Sequence, residues 1–154
     1  MRVWIDADAA PREVKDIVFR AAKRLEVHAV LVANQWLTGP PGNPFVSAVR
    51  VDGGADVADL HIAEHAEPGD VAVTADIPLA ARLVEKNVKA IDPRGDEYTE
   101  ENVGERLAVR DLIDGLRGAG MLEPGGPRPY SPKDRQAFAA TLDRVLTRAL
   151  RTRR

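Results

Sequence analysis

An α/β fold, three layers with a mainly parallel central sheet flanked by helices, is what the sequence predicts, and three observations predict it. Short apolar runs alternate with segments of helical period along most of the chain. The run His28–Ala33 (HAVLVA) is apolar almost without interruption, the pattern of a strand covered on both faces in a parallel sheet. Acidic residues recur where such runs end, which is where α/β sheets hold their ligands.

The elements follow in order. Residues 2–5 form a first strand that runs into Asp6 and Asp8. Pro11 suits a first helical turn, where its missing N–H costs nothing, and Val14, Ile17, Val18, Ala21, Ala22 and Leu25 then recur at helical spacing. His28–Ala33 is the second strand. Residues 34–44 (NQWLTGPPGNP) form a loop longer than the ~2–6 residues usual between such elements, so the loop is expected to border a substrate groove. A third strand is expected over 48–51, a helix over 55–66, and a fourth strand over 71–74. Asp76 reads as the N-cap of a helix with Pro78 in its first turn, running to about Lys86. A short strand over 89–91 precedes a helix over 99–118, whose apolar side is Leu107, Leu112, Ile113 and Leu116. A second Gly/Pro loop spans 121–132. Ser131 opens a final helix over about 131–150, in the Ser-x-x-Asp capping pattern, with Phe138, Leu142, Val145, Leu146 and Leu150 on its apolar face.

Composition narrows the function. At 154 residues the chain fits one domain over 1–154 and can bury a real core. It has no cysteine, which excludes disulfides, thiolate zinc sites and thiol nucleophiles. No apolar run nears the ~20 residues that span a membrane, and nothing resembling a signal peptide precedes the first strand, so a cytoplasmic protein is expected. Charge is uneven: residues 1–77 carry 7 basic and 12 acidic groups, residues 78–154 carry 15 and 12. An acidic half beside a basic one suits a metal site next to a surface that attracts phosphate.

The residues beyond the strand ends carry the chemistry. Asp6 and Asp8 follow the first strand, Asn34 and Gln35 the second, Asp56 and Asp59 the third, Thr74 and Asp76 the fourth, and Asp92 and Arg94 the fifth. Carboxylates that converge repel one another, and a divalent cation relieves that repulsion. Oxygen donors without Cys or His favour Mg²⁺ or Mn²⁺. The candidate metal ligands are therefore Asp6, Asp8, Asp56, Asp59 and Asp76, with Asp6 and Asp76 central to catalysis. Asn34, Gln35, Thr74 and Arg94 are the candidate substrate contacts. Plain helix capping remains open for Asp8, Asp56 and Asp76. Trp36 reads as a half-buried loop anchor, with stacking on a base as the alternative.

IDADAAP, LVANQ, GADVAD, VTADIPLA, DPRG, RDL and SPKDRQAFA resemble the pattern of the YaiI/YqxD-like bacterial proteins, from Val3 to about Leu150. That resemblance implies a PIN-like domain, a class whose better-known members are Mg²⁺- or Mn²⁺-dependent ribonucleases. It implies Asp6, Asp76 and either Asp56 or Asp59 as metal ligands. A phosphodiesterase acting on nucleic acid, RNA before DNA, is the resulting expectation, with a smaller phosphoester as the other substrate class.

Other readings compete. A non-catalytic RNA- or nucleotide-binding adaptor would use the acids as a structural metal site and Arg144, Arg148 and Arg151, one helical stripe, for phosphate. The string WIDAD also resembles the first motif of haloacid-dehalogenase-type phosphatases, in which Asp6 would be the nucleophile; there, however, the late acidic motif follows the threonine strand, whereas GADVAD precedes Thr74. His61-Ile-Ala-Glu64-His65 matches a zinc-protease string, although helix packing explains both histidines.

Overall fold

The computed structural model describes residues 1–54, 56–120 and 129–152. A six-stranded sheet holds β1 (Arg2–Asp6), β2 (His28–Ala33), β3 (Val46–Arg50), β4 (Val71–Val73), β5 (Lys89–Ile91) and β6 (Glu97–Tyr98) in the order β3-β2-β1-β4-β5-β6. Every neighbouring pair is parallel except β5–β6, which is antiparallel. The described helices are α1 (Arg12–Leu25), α2 (Val57–His65), α3 (Ile77–Glu85), α4 (Glu100–Gly118) and α5 (Pro132–Thr152).

Strand alternation builds two cores from one sheet, because successive side chains leave opposite faces. Val3, Ile5, Leu31, Val73 and Ile91 meet Val14 and Val18 of α1 and Phe138, Leu142 and Leu146 of α5. Trp4, Val30, Val32, Ala72 and Ala90 meet Ile62 of α2, Leu79 and Leu83 of α3 and Val103 of α4. The sheet is thus sandwiched between helices. Trp4 is 3% exposed, and its indole N–H donates to Asp70 at 3.0 Å. Asp70 also accepts from the backbone of Arg2 and Glu67, so this buried carboxylate pins the amino ends of β1 and β4.

Most expected elements are present, with shifts that have local causes. Pro11 is the N-cap residue of α1, in extended conformation (φ −59°, ψ 150°), and the helix starts one residue later. The third strand begins at Val46, two residues early, pairing with β2 from Ala29 onward. α2 begins at Val57 because Asp56 is left-handed (φ 65°, ψ 4°). β6 was not foreseen: two residues carry no periodicity to read, and only pairing with Ala90 and Ile91 makes them a strand.

α4 corrects a packing expectation. Thr99 and Asn102 form its capping box. Its expected apolar side, however, is not a buried one: Val103 alone on this helix is buried, and Leu112 is 63% exposed. α4 packs against α3, and the nine-residue α3 offers no cover for the distal turns of a 19-residue helix. α5 is capped as expected, with Ser131 Oγ accepting from Asp134 N and Asp134 Oδ2 accepting from Ser131 N. The Gly/Pro loop expected over 121–132 lies mostly outside the described residues. None of the described helices is long and apolar enough to cross a membrane.

Candidate metal centre

Sheet order fixes where a ligand belongs. From β1 the chain steps through α1 to β2 and on to β3, then crosses back through α2 to β4 on the other side of β1. The order reverses between β1 and β4, and at such a switch point a crevice opens outside the carboxyl ends of the strands. Asp6 ends β1, Asp76 follows β4, and the crossover segment brings Asp56 and Asp59 to the same edge.

Carboxylate oxygens of Asp56, Asp59 and Asp76 all lie within 4.8 Å of one another. Each is delivered by a distinct local device. Asp76 donates its N–H to Thr74 Oγ1 (2.9 Å), and its Oδ1 accepts from Leu79 N (2.8 Å) as the cap of α3. Capping and cluster membership are therefore compatible, since the cap occupies one oxygen. Asp56 stands in the N-cap position of α2, yet its side chain makes no cap bond. Its left-handed backbone is one that Asp tolerates better than most residues. Asp59 lies in the first turn of α2, three residues on, and shares a side-chain hydrogen bond with Asp76.

Crowding shows in proton affinity. Burial first, then the charges of Asp76 and Asp6, a hydrogen bond shared with Asp76 and the charge of Asp56 push the Asp59 carboxyl up to about 7. Asp6 is also raised, chiefly by burial and further by Asp8 and Asp76, against the lowering effect of the Ala9 and Asp8 backbone N–H groups.

Three clefts meet at Asp59. One of about 120 Å³ is lined by Asp6, Asp8, Asn34, Asp52 and Asp56. A second, about 140 Å³, adds Thr74, Asp76 and Pro93. The third, about 250 Å³, runs from the acidic trio to Arg82 and Arg110. Neither arginine is a site candidate from the sequence, although Arg110 opens the RDL motif, for their helices give no sign of sharing a cleft with the acids.

The other expected site residues fall as follows. Asp6 flanks the trio: its Oδ1 accepts from Asp8 N (3.1 Å) and Ala9 N (3.3 Å), and its carboxylate stands outside the 4.8 Å group. Asp8 does not cap α1. Its two oxygens accept from Asn34 N (2.8 Å) and Gln35 Nε2 (3.2 Å), tying the loops after β1 and β2 together. Asn34 reaches the smallest cleft, while Gln35 is spent on Asp8. Thr74 is buried and accepts from the Asp76 backbone, so it orients that residue. The Arg94 guanidinium pairs with the buried Asp134 at 2.7 Å, and the adjacent Pro93 lines the cleft of Asp6, Asp59 and Asp76. Trp36 is not half-buried but 80% exposed, with the Arg50 guanidinium 4.8 Å from its ring centre. His61 and His65 stack at 4.0 Å, and His65 Nδ1–H donates to the His61 carbonyl, so packing accounts for them. Arg144 pairs with Glu97 at 3.5 Å.

A family model described as "Uncharacterized BCR, YaiI/YqxD family" matches residues 4–148. A UPF0178 protein of Geobacter sulfurreducens is 57% identical over 151 residues, covering 98% of this chain and 99% of its own. A UPF0178 protein of Myxococcus xanthus is 55% identical over 152 residues (99% and 98%), and one of Burkholderia cenocepacia 53% over 148 (96% and 97%). No solved structure matches the chain.

Proposed function

The chain belongs to the YaiI/YqxD family, and from its acidic centre we propose that it is a Mg²⁺- or Mn²⁺-dependent phosphodiesterase, a PIN-like nuclease that acts on RNA. The observation that carries this reading is the convergence of Asp56, Asp59 and Asp76 within 4.8 Å at the switch point of the sheet. The donor set fits the ion. All three donors are hard carboxylate oxygens, the kind Mg²⁺ and Mn²⁺ take. A carboxyl raised to about 7 marks a site short of positive charge.

Asp56, Asp59 and Asp76 would hold the cation. When bound, it supplies Lewis acidity toward a phosphate oxygen and a lowered pKa for a water. Asp6 lines the smallest cleft together with Asp56 and Asp59, and its carboxylate would accept a hydrogen bond from a water there. Thr74 keeps Asp76 aimed. Arg82, along the largest of the three clefts, would offset the charge of an arriving phosphodiester, while Arg110 lines the same cleft already paired with Asp111 (3.3 Å) and Asp114 (3.6 Å).

The test is hydrolysis of a panel of single- and double-stranded RNA and DNA oligonucleotides in Mn²⁺. Wild type is compared with Asp6→Asn and Asp76→Asn, each checked for fold by circular dichroism. Wild type cleaves and both variants do not. Pure wild type that binds oligonucleotides but cleaves none would leave a binding protein, and equal cleavage by the variants would indicate a contaminant.

A further inference from the structure

Two tryptophans divide this chain. Trp4 is buried and hydrogen-bonded; Trp36 is 80% exposed, an unusual position for so large an apolar ring in a folded chain. The Arg50 guanidinium lies over it at 4.8 Å, and among the described residues Arg50 forms no ion pair. Ring and cation come from neighbouring strands. Arg50 ends β3 in register with Ala33 at the end of β2, and Trp36 lies three residues beyond Ala33.

Both are joined by a short length of chain to residues that line the acidic centre. Asn34, two residues before Trp36, and Val51, next to Arg50, line the same cleft as Asp6, Asp56 and Asp59. Two residues of chain span at most about 7 Å. Trp36 therefore lies within that distance of Asn34, and Arg50 adjoins Val51, on the edge of the sheet that carries the carboxylates.

We propose that Trp36 and Arg50 form a stacking platform for an unpaired nucleobase and its adjoining phosphate, so that the strand led to the acidic centre is single-stranded nucleic acid. This names the substrate class of the phosphodiesterase reading and rests on it only for what happens to the strand afterwards. An exposed indole offers a π-face that every base can use, and a guanidinium beside it adds cation–π and phosphate attraction. A duplex keeps its base faces stacked inside and cannot use the ring.

The experiment is fluorescence anisotropy with a fluorescein-labelled 12-nucleotide single-stranded RNA, the same sequence as DNA, and its blunt duplex, in Mg²⁺ from 50 to 200 mM KCl. Tryptophan emission is followed in parallel. Single strands bind and quench the exposed indole. Trp36→Ala weakens single-strand binding about tenfold or more, and Trp36→Phe, which keeps a ring, only a few-fold. Arg50→Gln weakens binding and reduces the slope of log K against log[salt] by about 0.7. Duplex binding does not change with Trp36→Ala. The proposal is overturned if wild type binds no single strand, if Trp36→Ala binds as tightly as wild type, or if the duplex depends on Trp36 equally. It is also overturned if sedimentation shows a wild-type dimer that Trp36→Ala dissociates, for the ring would then be covered by a second copy. Trp36-dependent binding without cleavage in any metal upholds this site and defeats the nuclease reading; cleavage indifferent to Trp36 does the reverse.

Discussion

Replacing Asp59 by Asn removes one charge of the trio and should stabilise the metal-free protein at alkaline pH. Two unit charges 4.8 Å apart repel by about 1 kcal/mol in water and about 3 kcal/mol at an effective dielectric of 20. A carboxyl held at about 7 instead of the ordinary 3.8 corresponds to at most about 4 kcal/mol. Asp59 is only partly buried, so solvent screening brings the effect to about 1–2 kcal/mol. Its direction follows from which state binds the proton. Between pH 4 and 7 the folded chain keeps a proton on Asp59 that the unfolded chain has released, so stability falls as pH rises through that window and levels off above it. Below pH 4 both states are protonated and the penalty is absent. Thermal unfolding in EDTA at pH 5 and pH 8.5 reads this directly. At pH 8.5 Asp59→Asn should melt about 3–6 °C above wild type, since 1 kcal/mol moves the midpoint of a chain this size by about 2–4 °C. The difference should shrink at pH 5 and reverse in millimolar Mn²⁺, which stabilises only the chain that binds it. Equal melting of the two proteins at both pH values would refute the claim that the carboxylates crowd one another.

Asp76 separates capping from metal binding: Asp76→Asn keeps the bond to Leu79 N but should lose the Mn²⁺-dependent rise in melting temperature, whereas Asp76→Ala should lose that rise and about 1 kcal/mol of stability in EDTA as well. Arg94→Ala removes the 2.7 Å ion pair to the buried Asp134, so urea unfolding should show a loss of about 1.5–3 kcal/mol, while Mn²⁺ binding is unchanged. Asp70→Ala leaves the buried Trp4 N–H without an acceptor and should cost about 2–3 kcal/mol by the same measurement, again without effect on the metal. Gly95→Ala places a methyl 2.7 Å from the Ala137 backbone at φ +98° and should cost about 2 kcal/mol or more.

What the sequence made legible was local. Asp76 announced itself because a cap followed by Pro78 fixes a helix start, and the run HAVLVA announced a strand covered on both faces. The choice between Asp56 and Asp59 was not legible, because it turns on the left-handed φ at Asp56, which lets both enter the site. Long-range pairing stayed hidden. Nothing in a linear reading joins Arg94 to Asp134 across 40 positions, or sets Arg82 and Arg110 on different helices beside one cleft. Periodicity marked an apolar side on α4 but carries no information on whether a neighbour is there to cover it. Trp36 was misjudged for the same reason, since burial belongs to the surroundings of a residue and not to its type.

The central claim is that Asp56, Asp59 and Asp76 bind a divalent cation, and titration of Mn²⁺ followed by the electron paramagnetic resonance of the free ion tests it most directly. At pH 8 wild type should remove Mn²⁺ from solution saturably, with Mg²⁺ competing, and Asp59→Asn and Asp76→Asn should weaken that uptake at least tenfold. A wild-type chain that leaves all Mn²⁺ free at millimolar concentration, or variants that take it up as wild type does, would contradict the claim.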